Sequence, residues 1–224
     1  MRFGSAGLIA ALVALAACDP VTVPMRGLAE VYDFRLPVGT DSLVLHWPNG
    51  TRIRVYVNPA PETARTELLV AGLRRGATAW EDVSLFGDYS FQEVGNPQDA
   101  DVVLTWSDLA LPIVTAHCPP GGGTAYTTFC LTPEHDALVP FPLTDDEQNS
   151  RVRFLVTLRT DPSLTAARVQ SLVAHELGHV LGLARHSPNS ADLMFSDPVA
   201  RTEPNVRDRA TVQLLYQLRP DIIP

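Results

Sequence analysis

"HELGHVLGLARH", residues 175–186, decides how the rest of the chain is read. It ends an apolar stretch whose periodicity predicts a helix from Asp161 and Pro162, as N-cap and first helical residue, to about Gly182. Residues four apart on a helix share a face, so His175 and His179 aim both imidazoles at one point. Two neutral imidazoles suit a zinc ion, and Glu176, beside the first of them, is better placed as a general base than as a third ligand. A third ligand must then come from beyond the helix. Gly182 tolerates the left-handed backbone that turns a chain back at a helix end, and such a turn would bring His186 under the metal. Asp192, an oxygen ligand in the following loop, is the alternative.

Working outward, residues 43–57, "LVLHWPNGTRIRVYV", read as two strands joined through Pro48, Asn49 and Gly50 in a hairpin, with Ile53, Val55 and Val57 on one face. From Glu62 to about Val83 the period becomes helical, with Leu69, Leu73, Ala77 and Trp80 on the buried stripe. "YSFQEV" (89–94), "DADVVLTWSD" (99–108), "TAYTTFCL" (124–131) and "RVRFLVTLRT" (151–160) are strand candidates. In the last of these Val152, Phe154, Val156 and Leu158 share a face, and residues 132–149 form a polar loop. A closing helix over about Val206–Leu218 places Ala210, Leu214 and Leu218 on one stripe, with Val212, Leu215 and Tyr216 nearby. The order of elements gives an α+β domain with a twisted mixed sheet, a long helix carrying the histidines, and a C-terminal helix.

The first residues read as an address. One basic residue and an apolar run from Leu8 to Ala17 are too short for a membrane span, which needs about 20 residues, and match a signal-peptide core. The ending "LAAC" resembles the lipobox of bacterial lipoproteins, which implies cleavage after residue 17 and lipid modification of Cys18. The expected organisation is therefore a signal peptide over 1–17, a lipid-anchored tether over 18–42 and a catalytic-size domain over 43–224. Export to a periplasm or cell surface suits the remaining pair, Cys118 and Cys130, for a disulfide that closes the loop "CPPGGGTAYTTFC". The formal net charge of -8 argues against nucleic acid or an anionic membrane surface as the main partner. The chain is expected to act as a monomer.

"HELGHVLGLARH" followed by "ADLMFSD" (191–197) resembles the metzincin zinc metallopeptidases, whose pattern is HExxHxxGxxH with a methionine turn downstream. "TAWEDVS" (78–84), "ADVVLTW" (100–106), "TAYTTF" and "ATVQLLYQL" (210–218) are similar to the matrixin branch. The resemblance implies His175, His179 and His186 as zinc ligands, Glu176 as catalytic base and Met194 in a Met-turn beneath the metal. One departure stands out: the family's third histidine falls where this chain has Arg185. A guanidinium has no lone pair to give a metal, whereas His186 keeps the family's separation from Met194. A one-residue insertion within "LAR" (183–185) accounts for both. The expected function is a zinc-dependent endopeptidase acting on exported proteins or peptides, with substrate bound in extended form along an edge strand in "GTAYTTFCL" (123–131). A non-catalytic lipoprotein using the same fold as a binding module is the alternative.

Overall fold

The computed structural model describes residues 30–60, 62–106, 124–141, 151–159, 161, 163–197 and 201–224. The expected signal peptide over 1–17, Cys18 and Cys118 lie outside the described residues, while Cys130 is buried. Among the described residues the chain runs β1 (Leu36–Val38), β2 (Asp41–Leu43), β3 (Thr51–Val57), α1 (Thr63–Glu81), β4 (Tyr89–Glu93), β5 (Val102–Trp106), β6 (Ala125–Thr128), β7 (Cys130–Leu131), β8 (Leu138–Val139), β9 (Phe154–Leu158), α2 (Ala166–Leu181) and α3 (Val206–Leu215). Five strands form one mixed sheet in the order β4-β3-β5-β9-β6. The first four are parallel neighbours, and β6 closes one edge antiparallel to β9, with Thr127 opposite Val156. The fold is α+β.

Parallel strands need a crossover, and α1 supplies one between β3 and β4. Its Leu69, Leu73, Ala77 and Trp80 are buried, as their spacing predicts. Gly72 and Gly76 let α2 approach closely: a Cβ at Gly76 would lie 3.0 Å from Ala174 Cα, and one at Gly72 3.0 Å from Val173 Cγ2. Trp80 then donates its indole N–H to Ala174 O at 2.7 Å. The ligand helix is thus seated on α1 by small residues and one directed hydrogen bond. Central strand β9 is buried along its whole length. Phe154, Val156 and Leu158 join the main core, whereas Val152 precedes the strand and packs with Leu155 and Phe141 in a second cluster.

Five sequence expectations are corrected. The hairpin over 43–57 does not form: the turn exists, with Thr51 N donating to Pro48 O at 3.1 Å, but β3 pairs with β4 and β5 instead. Residues 44–47 are all buried, because they pass between the C-terminal segment, which bonds Val44 O through Asp221 N and Ile222 N, and α2, whose Val180 O accepts from Trp47 Nε1. The expected tether belongs partly to the folded body: Tyr32 and Phe34 lie in the main core, and β1 and β2 pair antiparallel. Helix α2 begins at Ala166, with Thr165 as its cap, while Asp161 accepts from Ser163 N in a separate turn. In α3 the buried face is Asp208, Thr211, Val212 and Leu215, and Ala210 and Leu214 are only half-buried. Asp208 forms a capping box with Asn205 that sets this phase. Within the expected polar loop, β8 pairs with β7.

Candidate metal centre

Helix α2 brings His175 and His179 one turn apart, with Nε2 atoms 3.1 Å from each other. The helix stops at Gly182, where φ is +110° and a Cβ would fall 1.8 Å from Leu45 O. Only glycine fits there. The returning chain bonds Leu183 N to Gly178 O at 3.1 Å and carries His186 Nε2 to 3.3 Å from that of His179. The three ligand nitrogens lie within 4.8 Å of one another. Arg185 points away, to an exposed ion pair with Asp33 at 3.2 Å. The turn over 183–185 thus lets Arg185 face outward while His186 reaches the other two imidazoles.

Two of the rings are oriented by backbone carbonyls. His175 Nδ1 lies 2.8 Å from Leu193 O, and His179 Nδ1 lies 2.6 Å from Leu183 O. A carbonyl only accepts, so each Nδ1 carries the proton and each Nε2 turns its lone pair toward the shared centre. Burial holds the His175 pKa down to about 4, and burial with the neighbouring imidazoles holds His179 well below its ordinary value; burial also lowers His186. All three are neutral near neutrality, which is the ligating form. Neutral lone pairs this close repel unless a cation lies between them. The donor set fits zinc, and three protein nitrogens leave one position of a four-coordinate ion for water or substrate.

Glu176 is buried beside His175, and burial pushes its carboxyl up to about 8 against the opposing effect of a hydrogen bond from Thr127. Thr127 Oγ1 donates to Glu176 Oε2 at 2.7 Å. This contact joins the ligand helix to the edge strand β6, and the sequence gives no sign of it beyond a hydroxyl on a strand.

Met194 is fully buried beneath α2, packed against Gly178 and Trp80. Its loop is held by Ser187 N donating to Met194 O at 2.7 Å and by Asp208, which accepts from Leu193 N at 2.8 Å and Met194 N at 3.3 Å. Asp208 also accepts from Asn205 N and from the Tyr32 hydroxyl. Since Leu193 O orients His175, Asp208 supports the metal centre from 33 residues away in sequence. Sequence reading missed it; the only cue is its place three residues after Asn205 at a helix start.

Asp192, the alternative third ligand, is overturned by its surroundings. Its carboxylate pairs with Arg207 at 2.8 Å and accepts from Asn205 and Ser187, so its lone pairs are engaged away from the imidazoles. Of the other histidines, His46 bridges Trp47 O and Leu218 O in the interior, and His135 sits in a turn with φ of 59°. His117 lies outside the described residues.

The solved structures that the chain resembles include myroilysin, at 13% identity and a TM-score of 0.45, covering 79% of this chain and 98% of that one. They include also the archaemetzincin of Methanopyrus kandleri, at 14% identity and a TM-score of 0.41, covering 76% and 99%. No curated protein matches the chain. The peptidase family model described as Matrixin matches residues 46–217, from the segment beneath α2 to the end of α3. On that match, which takes in the whole imidazole cluster and its supports, the chain belongs to the matrixin family.

Proposed function

We propose that the protein is a zinc-dependent endopeptidase that hydrolyses peptide bonds in exported proteins or peptides. The single observation that carries the reading is the convergence of three neutral imidazole Nε2 atoms beside a buried glutamate on the helix that bears two of them. Zinc bound there supplies Lewis acidity toward a carbonyl and lowers the pKa of a water to about 7. Glu176 takes the proton from the attacking water on its carboxylate and later passes it to the leaving amine. Burial raises its affinity for a proton above that of an exposed carboxylate, and a zinc ion bound beside it would favour the ionised form that can accept one. Thr127 holds one of its oxygens, leaving the other for the water. Strand β6 lies at an edge of the sheet, and we assign it the task of binding an extended substrate by adding its backbone to the ladder.

The cellular setting follows from sequence: the leader ending in "LAAC" supports export and anchoring through Cys18, and an oxidising compartment supports the Cys118–Cys130 disulfide. The anchor is the only membrane contact we assign. Among the described residues no helix is long and apolar enough to cross a membrane.

The test is the zinc content of the purified protein beside His186→Ala prepared identically. About one zinc per chain, sharply reduced in the variant, is the expected result. A native protein that takes up no zinc, even with metal added, would overturn the reading and favour a binding module.

A further inference from the structure

His175 and His179 each have a carbonyl on Nδ1, but among the described residues none holds Nδ1 of His186. His186 is also the most exposed of the three. Its aim must therefore come from the backbone of the turn that delivers it. That turn is gripped by a segment some 150 residues earlier. Ala184 N donates to Phe34 O at 2.9 Å, Arg185 Nε donates to Arg35 O at 3.2 Å, and the same guanidinium meets the Asp33 carboxylate at 3.2 Å. The gripping segment is itself fixed, since Tyr32 and Phe34 are buried and the Tyr32 hydroxyl donates to Asp208 at 2.9 Å.

We propose that Asp33, Phe34 and Arg35, acting through Ala184 and Arg185, position His186 for the metal. Arg185, the residue that breaks the family spacing, thereby becomes a positioning residue that keeps the lengthened turn in place. The inference rests on the zinc reading above. The Asp33–Arg185 pair is exposed on both sides, and exposed pairs contribute little to global stability. Loss of the pair should therefore act on metal affinity rather than on folding.

The test uses the full chain with Arg185→Ala, Asp33→Ala, and the exchanged pair Asp33→Arg with Arg185→Asp. Zinc affinity is read by competition with a chromophoric chelator, ligand geometry by the visible spectrum of the cobalt-loaded protein, and folding by thermal unfolding without metal. Direct partners of a ligand change metal affinity by roughly 10- to 100-fold, and Arg185 acts one step further out, so Arg185→Ala should weaken zinc by about tenfold and Asp33→Ala by about threefold. The exchanged pair should recover part of the loss, the cobalt bands should shift in Arg185→Ala, and metal-free unfolding should be unchanged. Native zinc affinity and cobalt spectra in both single variants would overturn the inference while leaving the zinc reading intact. So would a loss of metal-free stability large enough to account for the weaker binding. A native protein that binds no zinc would overturn both.

Discussion

Met194 fills the space that Gly178 leaves open: a Cβ on Gly178 would lie 2.3 Å from Met194 Sδ and 2.9 Å from Trp80 Cζ2. The methionine can swing aside, but the indole is pinned by its bond to Ala174 O and cannot. Gly178→Ala should therefore cost about 1–3 kcal/mol as an overpacked core, read as a lower urea midpoint. Met194→Leu keeps volume and should cost less than about 1.5 kcal/mol. A native midpoint in Gly178→Ala would show that the floor of the site yields more easily than this packing implies.

Glu176→Gln keeps the shape of the side chain and its place beside Thr127 but removes the base. Turnover of a peptide substrate should fall by about 10²- to 10⁴-fold, with zinc content unchanged. Hydrolysis at the native rate would remove Glu176 from the mechanism.

Asp208→Ala strips a buried acceptor from Leu193 N, Met194 N, Asn205 N and the Tyr32 hydroxyl at once. Each buried donor left unpaired costs about 1–3 kcal/mol, so stability should fall by at least about 3 kcal/mol. Tyr32→Phe removes one donor and leaves the other three bonds, and should cost about 1 kcal/mol. Equal unfolding free energies for the two variants would contradict the central place given to Asp208.

Asp192 tests the same loop through pH. Burial works to raise its pKa, but hydrogen bonds from Ser187, Asn205 and Arg207, with the charge of Arg207, outweigh burial and leave it lowered. A carboxylate whose folded pKa is depressed adds stability above its ordinary value, and that stability is lost as pH falls through the folded value. Asp192→Asn should be less stable than native by about 2 kcal/mol near neutrality, since it removes the buried charge opposite a half-buried Arg207. The difference should close in acid below the carboxylate range, where the native side chain is also uncharged. A gap of constant size in urea unfolding at both pH values would assign the effect to shape rather than charge.

The parts of the molecule that were legible in sequence are those written in local spacing. The four-residue step from His175 to His179, the stop at Gly182 and the apolar stripe of α1 each depend on neighbours within a turn or two. The hairpin expectation failed because turn residues at 48–50 fix a reversal but not which strands pair, and β3 found its partners across the α1 crossover. The segment around Tyr32 and Phe34 reads as a tether because prolines at 20, 24 and 37 leave it no sustained periodicity, and the alternation of buried Tyr32 and Phe34 with exposed Asp33 and Arg35 is too short to stand out. Thr127 and Asp208 were missed for a different reason. Each acts through one hydrogen bond network to a residue far away in the chain, and nothing in its own neighbourhood records the partner.

All three imidazoles come from twelve consecutive residues, so the chelating stretch survives when the tertiary structure is lost. An unfolded chain needs to close only short loops to bring two or three of these side chains together, at little entropic cost. Metal then has some affinity for the denatured ensemble as well as for the native state, and this offsets part of the stabilisation that native binding would give. Added zinc should raise the melting temperature by less than its native affinity alone implies, and a heated sample should cool with the ion still held by the stretch from which the site re-forms.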